Sequence, residues 1–318
     1  MSAEGHRVAV VGATGNVGTV MLEVLAERDL PISEIVAFAS ARSEGRELDG
    51  GLIVRGLSDE AIEGFDIALF SAGATVSREW VPRFAAAGAV VVDNSSAFRR
   101  DDEIPLVVAE VNPEALDGHR GIVANPNCST MELMVALKPI LDAAGIERLV
   151  VSTYQSVAGT GQAAVEELHG QTHAVLHDME PPPPQVYPKI IAFNVIGAAG
   201  NFAAGDDHTD EERKMMYETR KILGAPDMGI SVTCVRVPVT NCHSLSVNVQ
   251  TRDPLSAQAC RELLAAAPGI EVQDDPATHT HPNPLDADGR DEVFVGRIRE
   301  DPSHERALNL FVVADNLR

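Results

Sequence analysis

Short apolar runs alternate with helical patterns through the first third of the chain. Runs at residues 7–11, 34–39, 65–71, 89–93 and 121–124 are rich in Val, Ile and Ala, with few polar interruptions. Strands of this kind are buried on both faces, as in a parallel sheet covered by helices. Between the first two runs, residues 17–27 carry apolar side chains at helical spacing. The pattern predicts an α/β fold with a Rossmann-type doubly wound parallel sheet.

After residue 128 the rhythm changes. Helical spacing recurs over residues 130–144, 163–177, 211–223 and 257–267, and strands are predicted over 148–155, 230–239, 244–250, 293–299 and 307–314. Val, Thr and Ser alternate in several of these strands, the mark of a sheet with one face toward solvent. The prolines at 181–184 and 188 predict an extended connection, and residues 197–207 a loop. No repeat of solenoid period is present. The expected organisation is a dinucleotide-binding domain over residues 1–127, to which residues 315–318 return. A second α+β domain with a mixed or largely antiparallel sheet is expected over 128–314.

Composition narrows the function classes. The 318 residues, 45 % of them hydrophobic, suit two ordinary globular domains. With 47 acidic against 25 basic side chains the formal charge is −22. That balance argues against nucleic-acid binding and against docking on an anionic membrane. An anionic substrate would then need a few local Arg and Lys residues set against the overall field. Four cysteines without regular spacing, an opening MSAEGHRVAVVGATG that lacks a signal-peptide pattern, and no membrane-length apolar run predict a cytoplasmic protein without disulfides.

Two stretches carry candidate chemistry. Gly12, Gly15 and Gly18 follow the first strand and open the first helix, so a tight turn would bring backbone N–H groups and a helix N-terminus to a pyrophosphate. Dinucleotide binders that use NAD place a carboxylate at the end of the second strand. Here Ser40, Arg42 and Ser43 stand there and no carboxylate occurs before Glu44, which favours NADP through a 2′-phosphate. The second stretch is Asn125-Pro126-Asn127-Cys128-Ser129-Thr130, where the parallel sheet ends and a helix begins. A thiol at a helix N-terminus is drawn toward its thiolate. Position alone leaves a buried structural cysteine as open as a nucleophile.

The segments GATGNVG, SARS, SSAFR, NPNCST, STYQSVAGTG, EERKMMYETRKI and RVPVTNCHS occur in that order. Together they resemble aspartate-semialdehyde dehydrogenase, in its bacterial NADP-dependent branch. The resemblance implies NADPH-dependent conversion of L-4-aspartyl phosphate to L-aspartate 4-semialdehyde, with release of phosphate. This step belongs to lysine, diaminopimelate, threonine and methionine biosynthesis. It assigns Cys128 as the nucleophile that becomes thioacylated, His243 as acid/base and Gln155 as the residue that orients the substrate. Arg236 would clamp the α-carboxylate, Glu211 the amino group, and Lys214 and Arg99 the phosphate, with Asn127 also at the substrate. The cofactor would be held by Gly12, Thr14, Gly15, Asn16, Val17, Gly18, Ser40, Arg42, Ser43, Ser71, Gly73, Gly159 and Asn316. A homodimer formed through the second domain is implied, and no metal.

Three places depart from the family pattern. Ala109 and the segment 197–200 stand where relatives have Pro, and relatives continue past the position of Arg318 with a helix that packs on the coenzyme domain. The sister enzyme N-acetyl-γ-glutamyl-phosphate reductase shares fold and thioacyl chemistry, but its motif reads NPGC-Y and its substrate has no free amine for Glu211. A non-catalytic NADP-binding protein is the third reading, opposed by the complete set of nucleophile, base and anion clamps. His169, His173 and His177 recur every four residues on a predicted helix, a spacing that can bind Zn²⁺ but more often marks a solvated face.

Overall fold

The computed structural model describes residues 5–318, so residues 1–4 of the expected coenzyme domain lie outside the described residues. The chain divides into two compact units, Met1–Asn127 with Arg318, and Cys128–Leu317. No helix among the described residues is long and apolar enough to cross a membrane.

The first unit is a five-stranded parallel sheet in the order β2-β1-β3-β4-β5. Its strands are β1 (His6–Val11), β2 (Ile32–Phe38), β3 (Ile67–Phe70), β4 (Val90–Asp93) and β5 (Ile122–Ala124). Helix α1 (Asn16–Glu27) packs its apolar side with Val10, Ala13 and Ala37 on one face. Helix α2 (Ala74–Ala86) brings Phe84 into a cluster with Phe38, Phe65 and Phe70 on the other. Phe70 and Phe84 meet edge to face, with centroids 5.2 Å apart. Both faces are therefore covered, as the unbroken apolar strands require. The strand order reverses beside β1, and the carboxyl ends of β1 and β3 flank the crevice where such sheets bind ligands.

The second unit is a six-stranded mixed sheet in the order β7-β6-β8-β11-β10-β9. Its strands are β6 (Ile146–Gln155), β7 (Gly229–Arg236), β8 (His243–Thr251), β9 (Ile270–Val272), β10 (Val293–Glu300) and β11 (Ala307–Ala314). β6 pairs parallel with β7, and β10 with β9, while the central pairs are antiparallel. Helix α3 (Cys128–Ala144) begins two residues before the expected start and buries much of its length against this sheet. The unit also holds α4 (Gln162–Leu176), α5 (Asp210–Ile222), α6 (Ala257–Ala265) and the short α7 (Pro284–Ala287). Strand β7 ends at Arg236, short of the expected 239, because Pro238 has no N–H to continue the ladder. Residues 197–207 contain neither helix nor strand.

Candidate active site

In the second unit the candidate residues Cys128, His243, Gln155, Arg236, Glu211 and Lys214 arrive from five elements. Cys128 is the first residue of α3, at its positive end, and is partly exposed. Its Sγ lies 3.3 Å from Nε2 of His243, the first residue of β8. Cys242, just before it, is buried with φ +68°, a left-handed turn that sets how the chain enters β8. The His243 ring is buried, and its Nδ1 accepts from the Ser156 backbone N–H at 3.1 Å. Burial is the largest influence and the Arg236 cation the next, together pushing His243 down to about 3, against the pull of the Glu211 carboxylate. The resting ring is therefore neutral.

The parallel pairing of β6 with β7 sets Gln155 beside Arg236 at the carboxyl ends of the two strands. Gln155 Nε2 donates to Ser129 Oγ at 2.7 Å and to Glu211 Oε1 at 2.9 Å. Glu211 Oε2 in turn accepts from Lys214 Nζ at 3.2 Å, one turn along α5. A capping box fixes the start of that helix: Thr209 Oγ1 accepts from the Glu212 N–H, and Glu212 Oε2 from the Thr209 N–H. Glu212 Oε1 also accepts from the Cys234 N–H, pinning α5 to β7. Glu211 thus sits in a first helical turn, where a carboxylate is favoured. Lys214 also contacts Asp210 at 2.9 Å; burial is the largest single influence on its pKa and lowers it, but the Glu211 and Asp210 carboxylates together outweigh burial and raise it. Arg236 donates to the Ser156 carbonyl and lies over the Tyr187 ring.

Three buried polar atoms here have no hydrogen-bond partner: Gln155 Oε1, Arg236 Nε and Asn316 Nδ2. Buried groups of this kind ordinarily find partners, so a cluster of them around one thiol marks a ligand site. A side chain at Gly159 would crowd Asn316 Nδ2 and the His243 ring, both 3.4 Å from its Cβ position.

In the first unit the glycine turn has the geometry of a phosphate cradle. A Cβ at Gly12, with φ +91°, would strike the Ser71 carbonyl, and one at Gly18 would strike the Gly12 carbonyl. A Cβ at Gly15 would meet only the Gly12 oxygen at 3.5 Å, so the fold does not itself exclude a side chain there. Gly15 and Gly73 stand at the N-termini of α1 and α2, and no side chain caps either helix. Thr14, Asn16 and Val17 belong to the α1 entry, and Gly12 and Ala13 both donate to the Phe38 carbonyl at the end of β2. Ser40, Arg42 and Ser43 form the next turn, closed by the Ser43 N–H on the Ser40 carbonyl. Arg42 is exposed and pairs with no carboxylate among the described residues. Arg99 also lies in this unit, donating to the Asn94 and Asn125 carbonyls at 2.8 Å.

Residues 7–119 match the family model described as the semialdehyde dehydrogenase NAD binding domain, and residues 137–318 the semialdehyde dehydrogenase dimerisation domain. The chain is 51 % identical to the aspartate-semialdehyde dehydrogenase of Aquifex aeolicus, over 99 % of this chain and 94 % of that one. The chain belongs to the aspartate-semialdehyde dehydrogenase family. A Streptomyces akiyoshiensis relative of the same name is 50 % identical, over 98 % of this chain and 94 % of its own. Among solved structures, the Vibrio cholerae aspartate semialdehyde dehydrogenase II complexed with ASA superposes with TM-score 0.94 at 46 % identity, covering 99 % of this chain and 94 % of that one. The Candida albicans enzyme with NADP gives TM-score 0.75 at 26 % identity, over 98 % and 94 % of the two chains.

For this aspartate-semialdehyde dehydrogenase family member, the second unit gathers Cys128, His243, Gln155, Glu211, Lys214, Arg236, Gly159 and Asn316. Arg99, Asn127 and the glycine-turn residues belong to the first. Sequence reasoning passed over Ser129 and Ser156, both fully buried and both bonded to predicted site residues. It also passed over Asp93, buried at the end of β4, which accepts from Ser77 and Ser95. The three histidines of α4 take separate roles: His169 contacts Thr240, and the His173 and His177 rings stack with centroids 4.2 Å apart. Among the described residues, the one cluster of three metal-ligand types is Cys242, Asp288 and Asp315. Cys234 and Cys260 are buried, with thiol pKa values pushed up chiefly by burial.

Proposed function

We propose that the protein reduces L-4-aspartyl phosphate to L-aspartate 4-semialdehyde with NADPH, releasing phosphate, and runs in reverse as a phosphorylating dehydrogenase. The observation that carries this reading is Cys128 Sγ at a helix N-terminus, 3.3 Å from the His243 imidazole and flanked by Gln155, Glu211 and Arg236. His243 takes the thiol proton, and the Cys128 thiolate attacks the acyl carbon. A C–S bond forms, the C–O bond to phosphate breaks, and the thioacyl enzyme remains. NADPH, which the Gly12, Gly15 and Gly18 turn would hold, would supply the hydride for reduction of the thioacyl carbonyl. The C–S bond then breaks, returning the thiolate and the aldehyde.

The substrate's charges match the residue types. Arg236 offers an unpaired Nε for the α-carboxylate, and planar bidentate recognition favours Arg there. Glu211 receives the amine, Gln155 orients the substrate, Asn127 adds a contact beside Cys128, and Lys214 and Arg99 receive phosphate. Ser40, Arg42 and Ser43 hold the 2′-phosphate of NADP, supported by an exposed cation with no carboxylate partner in that turn. Asn316 Nδ2 supplies a donor for the cofactor. The glycine geometry fits a dinucleotide, because two glycines are needed for close packing and the third leaves a ligand room to approach. We assign the coenzyme domain to residues 1–127 and the catalytic and dimerisation domain to 128–314, in a cytoplasmic homodimer. The apolar side chains of Phe193, Val195 and Phe202, each at least 60 % exposed, support a covering partner in the second domain.

The test is formation of NADPH from semialdehyde, phosphate and NADP⁺, run beside N-acetylglutamate semialdehyde. Cys128→Ala should abolish turnover while leaving NADP⁺ binding intact. Retention of more than a few per cent of the rate removes Cys128 from the mechanism, and a preference for the N-acetylated substrate overturns the substrate assignment.

A further inference from the structure

A buried cation ordinarily faces a carboxylate, and Arg236 does not. Its residue is 8 % exposed, and among the described residues no carboxylate pairs with it. An unpaired charge withdrawn from water is costly. A fixed counter-ion would relieve that cost, but it would compete with a ligand carboxylate for the same N–H groups. Arg236 has instead the Ser156 carbonyl and the Tyr187 ring, whose centroid lies 5.6 Å from its Cζ. An aromatic face attracts a cation through its quadrupole and brings no competing carboxylate. Nε is left without a partner.

The ring serves as a neutral face and not as a phenolate. Burial raises the Tyr187 pKa, and the opposing influences of Arg236 and Thr160 do not reverse it. Its Oη donates to Thr160 Oγ1 at 2.9 Å, in the single 3₁₀ turn Ala158–Thr160.

The connection that carries the ring is held along its length. Prolines at 181–184 and 188 restrict its φ angles. Glu167 on α4 accepts from the Gln185 and Val186 N–H groups at 2.5 and 2.7 Å. Gln171, fully buried on the same helix, accepts from the Ile191 and Ala192 N–H groups at 2.9 and 3.3 Å. Ile196 then exchanges two backbone hydrogen bonds with Arg236, at 3.0 and 2.9 Å. Tyr187 packs on the cluster that contains Val157, Ile191 and Ile196. One segment thus carries the ring and also fixes the backbone of the residue the ring faces.

We propose that Tyr187 is a positioning residue that holds the Arg236 guanidinium by its ring face, leaving Nε open to the substrate carboxylate. The proposal rests on the carboxylate-clamp reading of Arg236 above. Tyr187 acts through Arg236 alone. The contact is the same in the ground and transition states, so its loss should raise KM for semialdehyde and spare kcat.

The test replaces Tyr187, in the full chain, by Phe and by phenylalanines carrying one, two and three ring fluorines. Fluorine draws charge from the ring face with little change of shape, so a purely packing role would not respond to it. Initial rates of NADPH formation are then measured against semialdehyde and against NADP⁺. Tyr187→Phe should keep KM for semialdehyde within about twofold, because the face remains. Along the fluorine series that KM should climb stepwise, by about fivefold or more at three fluorines, with kcat and KM for NADP⁺ within about twofold. Tyr187→Leu, which removes the face, should raise it about five- to thirtyfold. Should Tyr187→Leu fail to fold, the fluorine series still decides. A flat series, or an equal rise in KM for NADP⁺, overturns the proposal. Arg236→Lys separates the two readings: a flat series beside a raised semialdehyde KM in Arg236→Lys refutes the role of Tyr187 alone, whereas an unchanged KM in Arg236→Lys refutes the clamp itself.

Discussion

Replacing Arg236 with Lys keeps the charge and removes the fork. In the structure Arg236 is buried, donates to the Ser156 carbonyl, lies over Tyr187 and presents an Nε without a partner. One guanidinium edge is thus committed to the protein while Nε is left for a ligand. Lysine offers three donors on one atom and cannot hold the Ser156 carbonyl and a carboxylate in that geometry at once. The loss is about one charge-assisted hydrogen bond, roughly 1.5–3 kcal/mol, or about ten- to a hundredfold in kcat/KM. Initial rates of NADPH formation against semialdehyde, and separately against NADP⁺, would measure it. The expected result is a raised KM for semialdehyde with KM for NADP⁺ within about twofold. An unchanged semialdehyde KM, or an equal rise for both, refutes the clamp.

Two further outcomes follow from single side chains. Arg42→Ala should shift the NADP-to-NAD ratio of kcat/KM toward NAD by about tenfold or more, one charge-assisted contact to phosphate; an unaltered ratio removes Arg42 from the 2′-phosphate site. Glu132, one turn beyond Cys128 on α3, is buried with both oxygens unpartnered, and burial raises its pKa well above the usual carboxylate range against the Ala314 amide. Between the unfolded carboxyl value, about 4.3, and its raised folded value, the native state holds an extra proton, so stability falls by about 1.4 kcal/mol per pH unit as pH rises. Glu132→Gln removes that loss. The melting temperature of the unit should gain roughly 3–6 °C on the parent for each pH unit climbed through that window. Parallel curves of melting temperature against pH would show that Glu132 does not ionise differently on folding.

The fold was readable where the physics is local. Strands buried on both faces must be apolar throughout, and Gly12 and Gly18 stand where backbone meets backbone, so the first sheet and its turn stood out in the sequence. Helix α2 carries Pro82 within it, a residue that usually argues against a helix interior, and no specific range for it was expected. The three-residue β9 is too short to show an alternating pattern. In the second sheet, two parallel pairs lie among antiparallel ones, and pairing direction depends on crossovers far apart in the chain. Within the site, Cys128 and His243 came from recognisable motifs, but Ser129 and Ser156 did not. Serine is common, and these two matter only because folding brings them to Gln155 and His243, the latter 87 residues from Ser156.

The unpartnered atoms bear on substrate choice. Gln155 Oε1, Arg236 Nε and Asn316 Nδ2 each carry a desolvation cost of about 1–3 kcal/mol while unmatched. A ligand that supplies the missing partners recovers that cost, and one that fails to do so leaves the groups buried and unsatisfied, which discriminates more strongly than a lost apolar contact. Glu211 adds a charge condition. Its carboxylate is shared between Gln155 and Lys214 and is largely withdrawn from solvent, with 13 % of its side chain exposed. An ammonium group beside it completes an ion pair, whereas an N-acyl group offers no charge and forces the carboxylate to be desolvated without return. The protein's formal −22 works against any anionic substrate at long range, but salt screens exposed charges within about 10 Å. At contact distance the buried Arg236 guanidinium is screened far less. On the proposed reading, selection of a free amino acid over its acetylated counterpart would rest on Glu211, and capture of its carboxylate on Arg236.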